Sequence, residues 1–117
     1  MLSALVLRTA MIMFIKNLGQ IPHMSLEKVR ADITKGDREI IRLIAQRQDY
    51  ARKIAEIKIH AGMPVHDEHR TAEVLESVFE LAVEYKIDPV AVQKIFEHLI
   101  AMSEERQRGC SGDGNLP

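Results

Sequence analysis

Two cations interrupt an otherwise apolar helical stripe. Apolar or small residues recur at Val29, Ile33, Gly36, Ile40, Ile44, Ala51 and Ile54, in steps of three and four apart from one gap of seven. Arg47 fills that gap, and Lys58 continues the stripe four residues after Ile54. The two lie eleven positions apart, three helical turns plus ~20°, so they point the same way. One such residue is accommodated by snorkelling, with its stem on apolar surface and its charge in water. Two on one stripe favour a shared anionic ligand, because an unpaired buried charge is expensive. Farther along, Ser103 and Gln107 extend the stripe of Phe96, Leu99 and Ile100 at helical spacing, aiming a hydroxyl and an amide inward. Each alone is ordinary. Opposite two cations, they make a polar pocket inside a helical bundle.

The stretch PVHDEHR, residues 64–70, raises a second chemistry, since it packs two histidines and two acids into four positions. A structural zinc site wants four ligands, typically with thiolates, and the chain has a single, distant Cys110. His66 and His69 could bring two imidazoles together at i,i+3, yet no third ligand is obvious and no HExxH motif is present. The plainer reading is a turn at Gly62 and Pro64, a helix cap at Asp67, and a first helical turn carrying Arg70 and Thr71. A helix start also exposes backbone N–H groups to a ligand oxygen. We therefore expect no metal.

These residues need three helices to position them. Ser25 caps the first, which meets no proline until Pro64 and stops at Gly62. The second starts near Asp67 and carries Val74, Leu75, Val78, Phe79, Ala82 and Tyr85 on one stripe. Asp88 followed by Pro89 marks the third, which frays before Gly109. No strand pattern competes, so the fold class is all-α: one very long helix and two of medium length. The long helix would run ~50 Å, more than two shorter helices can cover in a domain ~30 Å across. Its remaining apolar stripe calls for a second copy of the chain, and a homodimer is expected.

Bulk properties narrow the function. The chain has 117 residues, one domain at most. A net charge of −1 gives no basic field for nucleic acid, and 4% aromatics without Trp give no base-stacking platform. One cysteine fits a reducing compartment. Residues 1–24 hold an apolar run broken by Arg8, too short for the ~20 residues that span a bilayer, and without the marks of a signal peptide. We read them as a weakly ordered extension or a start assigned too early, with Met24 as the true beginning. Residues 25–108 form the helical domain, and 109–117 a disordered tail. Cytoplasmic location and no membrane partner follow.

The combined layout resembles the all-helical chorismate mutases. The likeness covers about Leu26 to Arg108 and rests on VRADI, AQRQDYARKIAEIK, GMPVHDEHR and IFEHLIAMSEERQ in register. It implies an intertwined homodimer with the long helices packed together and two pockets, each built from both chains. Carried over by position, the resemblance makes Arg30 the arginine given by the partner chain to a substrate carboxylate, and Arg47 the same-chain arginine on a carboxylate. Lys58 and Gln107 match the pair that hydrogen-bonds the breaking ether oxygen. Asp67 and Arg70 match residues that line the pocket and help fix the substrate hydroxyl and its waters, and Ser103 matches a carboxylate contact. Arg30 precedes Arg47 by seventeen residues, ~25 Å along a straight helix and ~100° round it, so one helix cannot aim both at a small ligand. An antiparallel partner could bring Arg30 back.

One position departs from the pattern. Thr71 stands where members often have a glutamate that helps bind the ring hydroxyl; threonine keeps an oxygen and loses charge and reach. Glu73 sits about 200° round the helix from Thr71, a poor substitute. The implied reaction is chorismate to prephenate, which needs no metal or redox cofactor. The rivals are an isochorismate-pyruvate lyase on the same scaffold, and a non-catalytic dimerisation or regulatory module that binds an aromatic amino acid or nothing.

Overall fold

A computed structural model describes residues 25–110. The expected N-terminal extension and residues 111–117 of the expected tail lie outside them. Three helices follow in order: α1 (Leu26–Ala61), α2 (Glu68–Glu84) and α3 (Pro89–Cys110). The described residues contain no strand, and no helix among them is long and apolar enough to cross a membrane. They fall into two units, one ending at Ile41 and the other beginning at Arg42.

Local chemistry sets each boundary. Ser25 Oγ accepts from the Lys28 N–H at 3.1 Å, the side-chain cap that a helix start leaves room for. Pairs such as Lys28–Asp32 and Arg52–Glu56 support the exposed face of α1 at i,i+4 spacing. At its end Gly62 takes a left-handed φ of 66°. Gly62 N–H then reaches Ile59 O and Met63 N–H reaches Lys58 O, which satisfies two otherwise orphaned carbonyls. Asp67 Oδ1 caps α2 through the Arg70 N–H at 3.0 Å, and Asp88 Oδ1 caps α3 through Val90 N–H. The same two-bond closure ends α2, from Lys86 N–H to Val83 O and Ile87 N–H to Ala82 O. Here the left-handed position is held by a lysine, with φ 60°. α3 continues through Gly109 to Cys110, slightly past the expected fraying point.

The second unit contains the part that matters for chemistry. α2 and α3 make the closest backbone approach, braced by Gln93 Nε2 donating to Leu75 O at 3.0 Å. The buried apolar residues among those described are Ala51, Ala55, Val78 and Ala82, three of them alanines. Such small side chains let helices approach but bury little area, so this core alone is thin. Large apolar groups of the same unit stay exposed, including Ile54, Ile57, Leu81 and Val83. In the first unit Val29, Ile33 and Ile40, members of the expected core stripe of α1, are exposed as well. Among the described residues, these three stay open to solvent while Ala51, farther along the same stripe, is buried.

Candidate active site

Arg47, Lys58, Asp67, Arg70, Thr71, Ser103 and Gln107 all line one cleft of about 350 Å³ in the second unit. Tyr50, Ile54, Val74 and Ile100 supply much of its apolar wall. α1 gives Arg47 and Lys58 from one face, α2 gives Arg70 and Thr71 from its first turn, and α3 gives Ser103 and Gln107 one turn apart. Arg30 is not among the lining residues; its carbonyl accepts from Thr34 Oγ1 at 3.0 Å.

Arg47 reaches across to α3. Its Nη1 donates to Leu99 O at 3.0 Å and to Ser103 Oγ, and the guanidinium lies 6.0 Å from the centre of the Phe96 ring. These contacts leave the Nη2 edge to grip a planar anion. Burial first, and the like charge of Arg70 second, hold the Arg47 pKa below its ordinary value. Arg47 remains a cation throughout the accessible pH range, so the shift marks chiefly a half-buried charge, with a second cation facing the same space. An anion there would offset the repulsion between the two cations.

Lys58 works at the other end of the cleft. Its Nζ donates to Val65 O at 2.6 Å and to Gln107 Oε1 at 3.0 Å. An ammonium has three N–H donors, so one remains for a ligand. Because lysine only donates, Gln107 must turn its oxygen to Lys58, and its NH₂ is left to donate elsewhere. Gln107 is 6% exposed and is the one buried polar residue among those described. Two donors therefore converge from α1 and α3 in a partly dry place, where each is electrostatically stronger than in water.

The remaining positions are more open. Asp67 is exposed and spends one oxygen on the α2 cap. The Arg70 side chain is 69% exposed and approaches Glu73 at 3.8 Å, a loose surface pair. Thr71 is half-buried, and its backbone N–H donates to Asp67 O. His66 and His69 do not join a metal-binding set: no group of three or more His, Cys, Asp or Glu side chains converges among the described residues. His66 Nδ1 instead meets Glu104 Oε1 at 2.7 Å.

Sequence reasoning passed over Glu104 and two backbone acceptors. Glu104 lines the cleft, and its spacing from Ile100 and Gln107, at i+4 and i−3, was a usable signal. The carbonyls of Val65 and Leu99, which anchor Lys58 and Arg47, carry no signature in residue type.

An all-helical cleft with cations on two walls and neutral donors between them defines a binder of small organic anions. The family model described as chorismate mutase type II matches residues 29–108, and the chain belongs to that family. It is 32% identical over 83 residues to a chorismate mutase of Methanocaldococcus jannaschii, covering 71% of this chain and 84% of that protein. It is also 38% identical over 56 residues to a bifunctional chorismate mutase/prephenate dehydratase of Aquifex aeolicus, where the match spans 48% of this chain and 16% of the larger protein.

Proposed function

We propose that this cleft binds chorismate and rearranges it to prephenate in the cytoplasm, with each site completed by Arg30 of a second copy of the chain. Family membership carries the reaction class. What carries the assignment of residues is the convergence of Arg47, Lys58, Ser103 and Gln107 on one cleft, each still holding an unspent donor.

The reaction is pericyclic: the ether C–O bond breaks as a C–C bond forms within one substrate. No nucleophile takes part. The protein has two tasks, to hold a flexible dianion folded and to stabilise negative charge as it grows on the ether oxygen. For the first, the Nη2 edge of Arg47 binds one carboxylate, and Ser103, whose oxygen already accepts from Arg47, turns its hydroxyl hydrogen to the same group. Arg30 from the second chain neutralises a carboxylate from the far side. Holding the reacting ends in contact removes much of the entropic part of the barrier. For the second task, the third N–H of Lys58 and the NH₂ of Gln107 point at the ether oxygen. They are already fixed by Val65 and by each other, so they cost no reorganisation when charge develops. Asp67, Arg70 and Thr71 form the wall that meets the ring hydroxyl and its waters.

The exposed apolar surface of α1 supports the homodimer on separate grounds. The exposed Val29, Ile33 and Ile40 of the first unit, and the exposed Ile54 and Ile57 of the second, lie on α1. A second α1 packed along it would bury them.

The decisive experiment is to incubate the purified protein with chorismate, follow its ultraviolet absorbance, and identify the product. Prephenate is expected. Release of pyruvate, or no turnover by a folded oligomer, overturns the proposal.

A further inference from the structure

Glu104 is the cleft residue that the proposed mechanism leaves without a task. A carboxylate is out of place beside a dianion unless it faces a part of the substrate that carries no charge. Chorismate offers one such part that can also donate a hydrogen bond: its ring hydroxyl. Every other polar atom of the dianion is an acceptor. We infer that Glu104 is the acceptor for that hydroxyl, a specificity-determining residue on α3 that does the work Thr71 cannot do on α2. This rests on the proposed function above.

Four observations support the assignment. Glu104 lies between Ser103 and Gln107 in sequence, and all three line the cleft. Its side chain is only 18% exposed, so a hydrogen bond made there competes weakly with water. Both oxygens are held, Oε1 by His66 Nδ1 at 2.7 Å and Oε2 by Arg108 Nη2 at 3.5 Å. The Arg108 cation partly offsets its repulsion of the substrate, and each carboxylate oxygen keeps a free lone pair. Finally, the competing acceptors are weaker. Thr71 brings a neutral hydroxyl. Asp67 is exposed and has committed one oxygen to the α2 cap. His66 is then a positioning residue: from the turn before α2 it fixes the rotamer of Glu104, which gives one of the two histidines of PVHDEHR a role.

The test uses two substrates and three variants in the full-length oligomer. Wild-type turnover of chorismate is measured first; its absence would sink the functional reading rather than this one. Glu104→Gln keeps size and loses the charge. Its kcat/KM on chorismate is expected to fall about 10- to 100-fold, the loss of a charge-assisted hydrogen bond. On an analogue with hydrogen in place of the ring hydroxyl, Glu104→Gln and wild type should turn over alike. An equal fall on both substrates, or none on chorismate, overturns the assignment. Asp67→Asn, which retains the helix cap, should show a smaller hydroxyl-dependent loss; a larger one transfers the role to Asp67 and refutes ours. Should Glu104→Gln not fold, Glu104→Asp replaces it, with a loss of about tenfold on the hydroxyl-bearing substrate alone.

Discussion

Replacing Lys58 with alanine removes one ammonium that has two separable duties. In the free protein its Nζ satisfies Val65 O at 2.6 Å and Gln107 Oε1 at 3.0 Å. Val65 is half-buried beside the cleft, so water can take over its carbonyl. Gln107 is 6% exposed, and leaving its oxygen without a donor costs ~1–3 kcal/mol. Under the proposed mechanism the same ammonium faces the ether oxygen in the transition state, where losing one fixed donor costs ~3–4 kcal/mol, or about 10²–10³ in rate. The first cost is read by urea unfolding and the second by initial rates of chorismate loss at saturating substrate. We expect unchanged helicity and oligomeric state, unfolding free energy lower by ~1–3 kcal/mol, and kcat reduced about 10²- to 10³-fold. A folded oligomer whose kcat stays within about threefold of wild type would refute the electrostatic role. Unaltered stability would refute the claim that Lys58 is what satisfies Gln107.

Three further outcomes are expected. Arg30→Ala and Lys58→Ala should each be nearly inactive, but refolding them together should restore about a quarter of wild-type activity, because half of the random dimers carry one intact site; no recovery means that Arg30 serves its own chain or none. Lys86→Gly should raise stability by ~0.5–1 kcal/mol in thermal or urea melts, since a left-handed φ of 60° penalises any residue with a Cβ by ~1–2 kcal/mol, partly offset by the entropy of glycine. The Asp49 carboxyl is held below its ordinary 3.8 by hydrogen bonds from Lys53 and then Arg52. A depressed carboxyl contributes stability that is present above the unfolded value and lost as pH falls through the folded one, so Asp49→Asn should be slightly less stable than wild type near neutrality, with a flatter profile below about pH 4 where the two converge.

Helix ends were legible wherever one residue type satisfies a backbone group by itself. Ser25, Gly62, Asp67 and the Asp88–Pro89 pair all act within three or four positions of where they stand. Lys86 was not legible, because a lysine in the left-handed region is tolerated by the tertiary structure rather than asked for by the sequence. The cleft was readable where cations sat at apolar spacing, as with Arg47 and Lys58. Glu104 escaped because acids at helical spacing usually mark a solvated face, so its place beside Ile100 and Gln107 was a weak signal until its 18% exposure set it apart. The exposed Ile33 and Ile40 carried a clear periodic signal, but periodicity names the face to be buried and is silent on which chain buries it.

The turn after α1 has a practical consequence for anyone altering this protein. Surface connections are ordinarily the permissive places for grafts, tags and permuted termini. Residues 62–67 are not such a place. Lys58 accepts Met63 N–H on its carbonyl while its side chain holds Val65 O, so both ends of one residue are tied to this short connection. Lengthening it by even one residue would move the Val65 anchor, and with it the ammonium. The turn at residues 85–88 ties no cleft residue and closes with the same backbone pattern. Evolutionary drift in length, and any engineered cargo, should therefore accumulate at the second turn and spare the first.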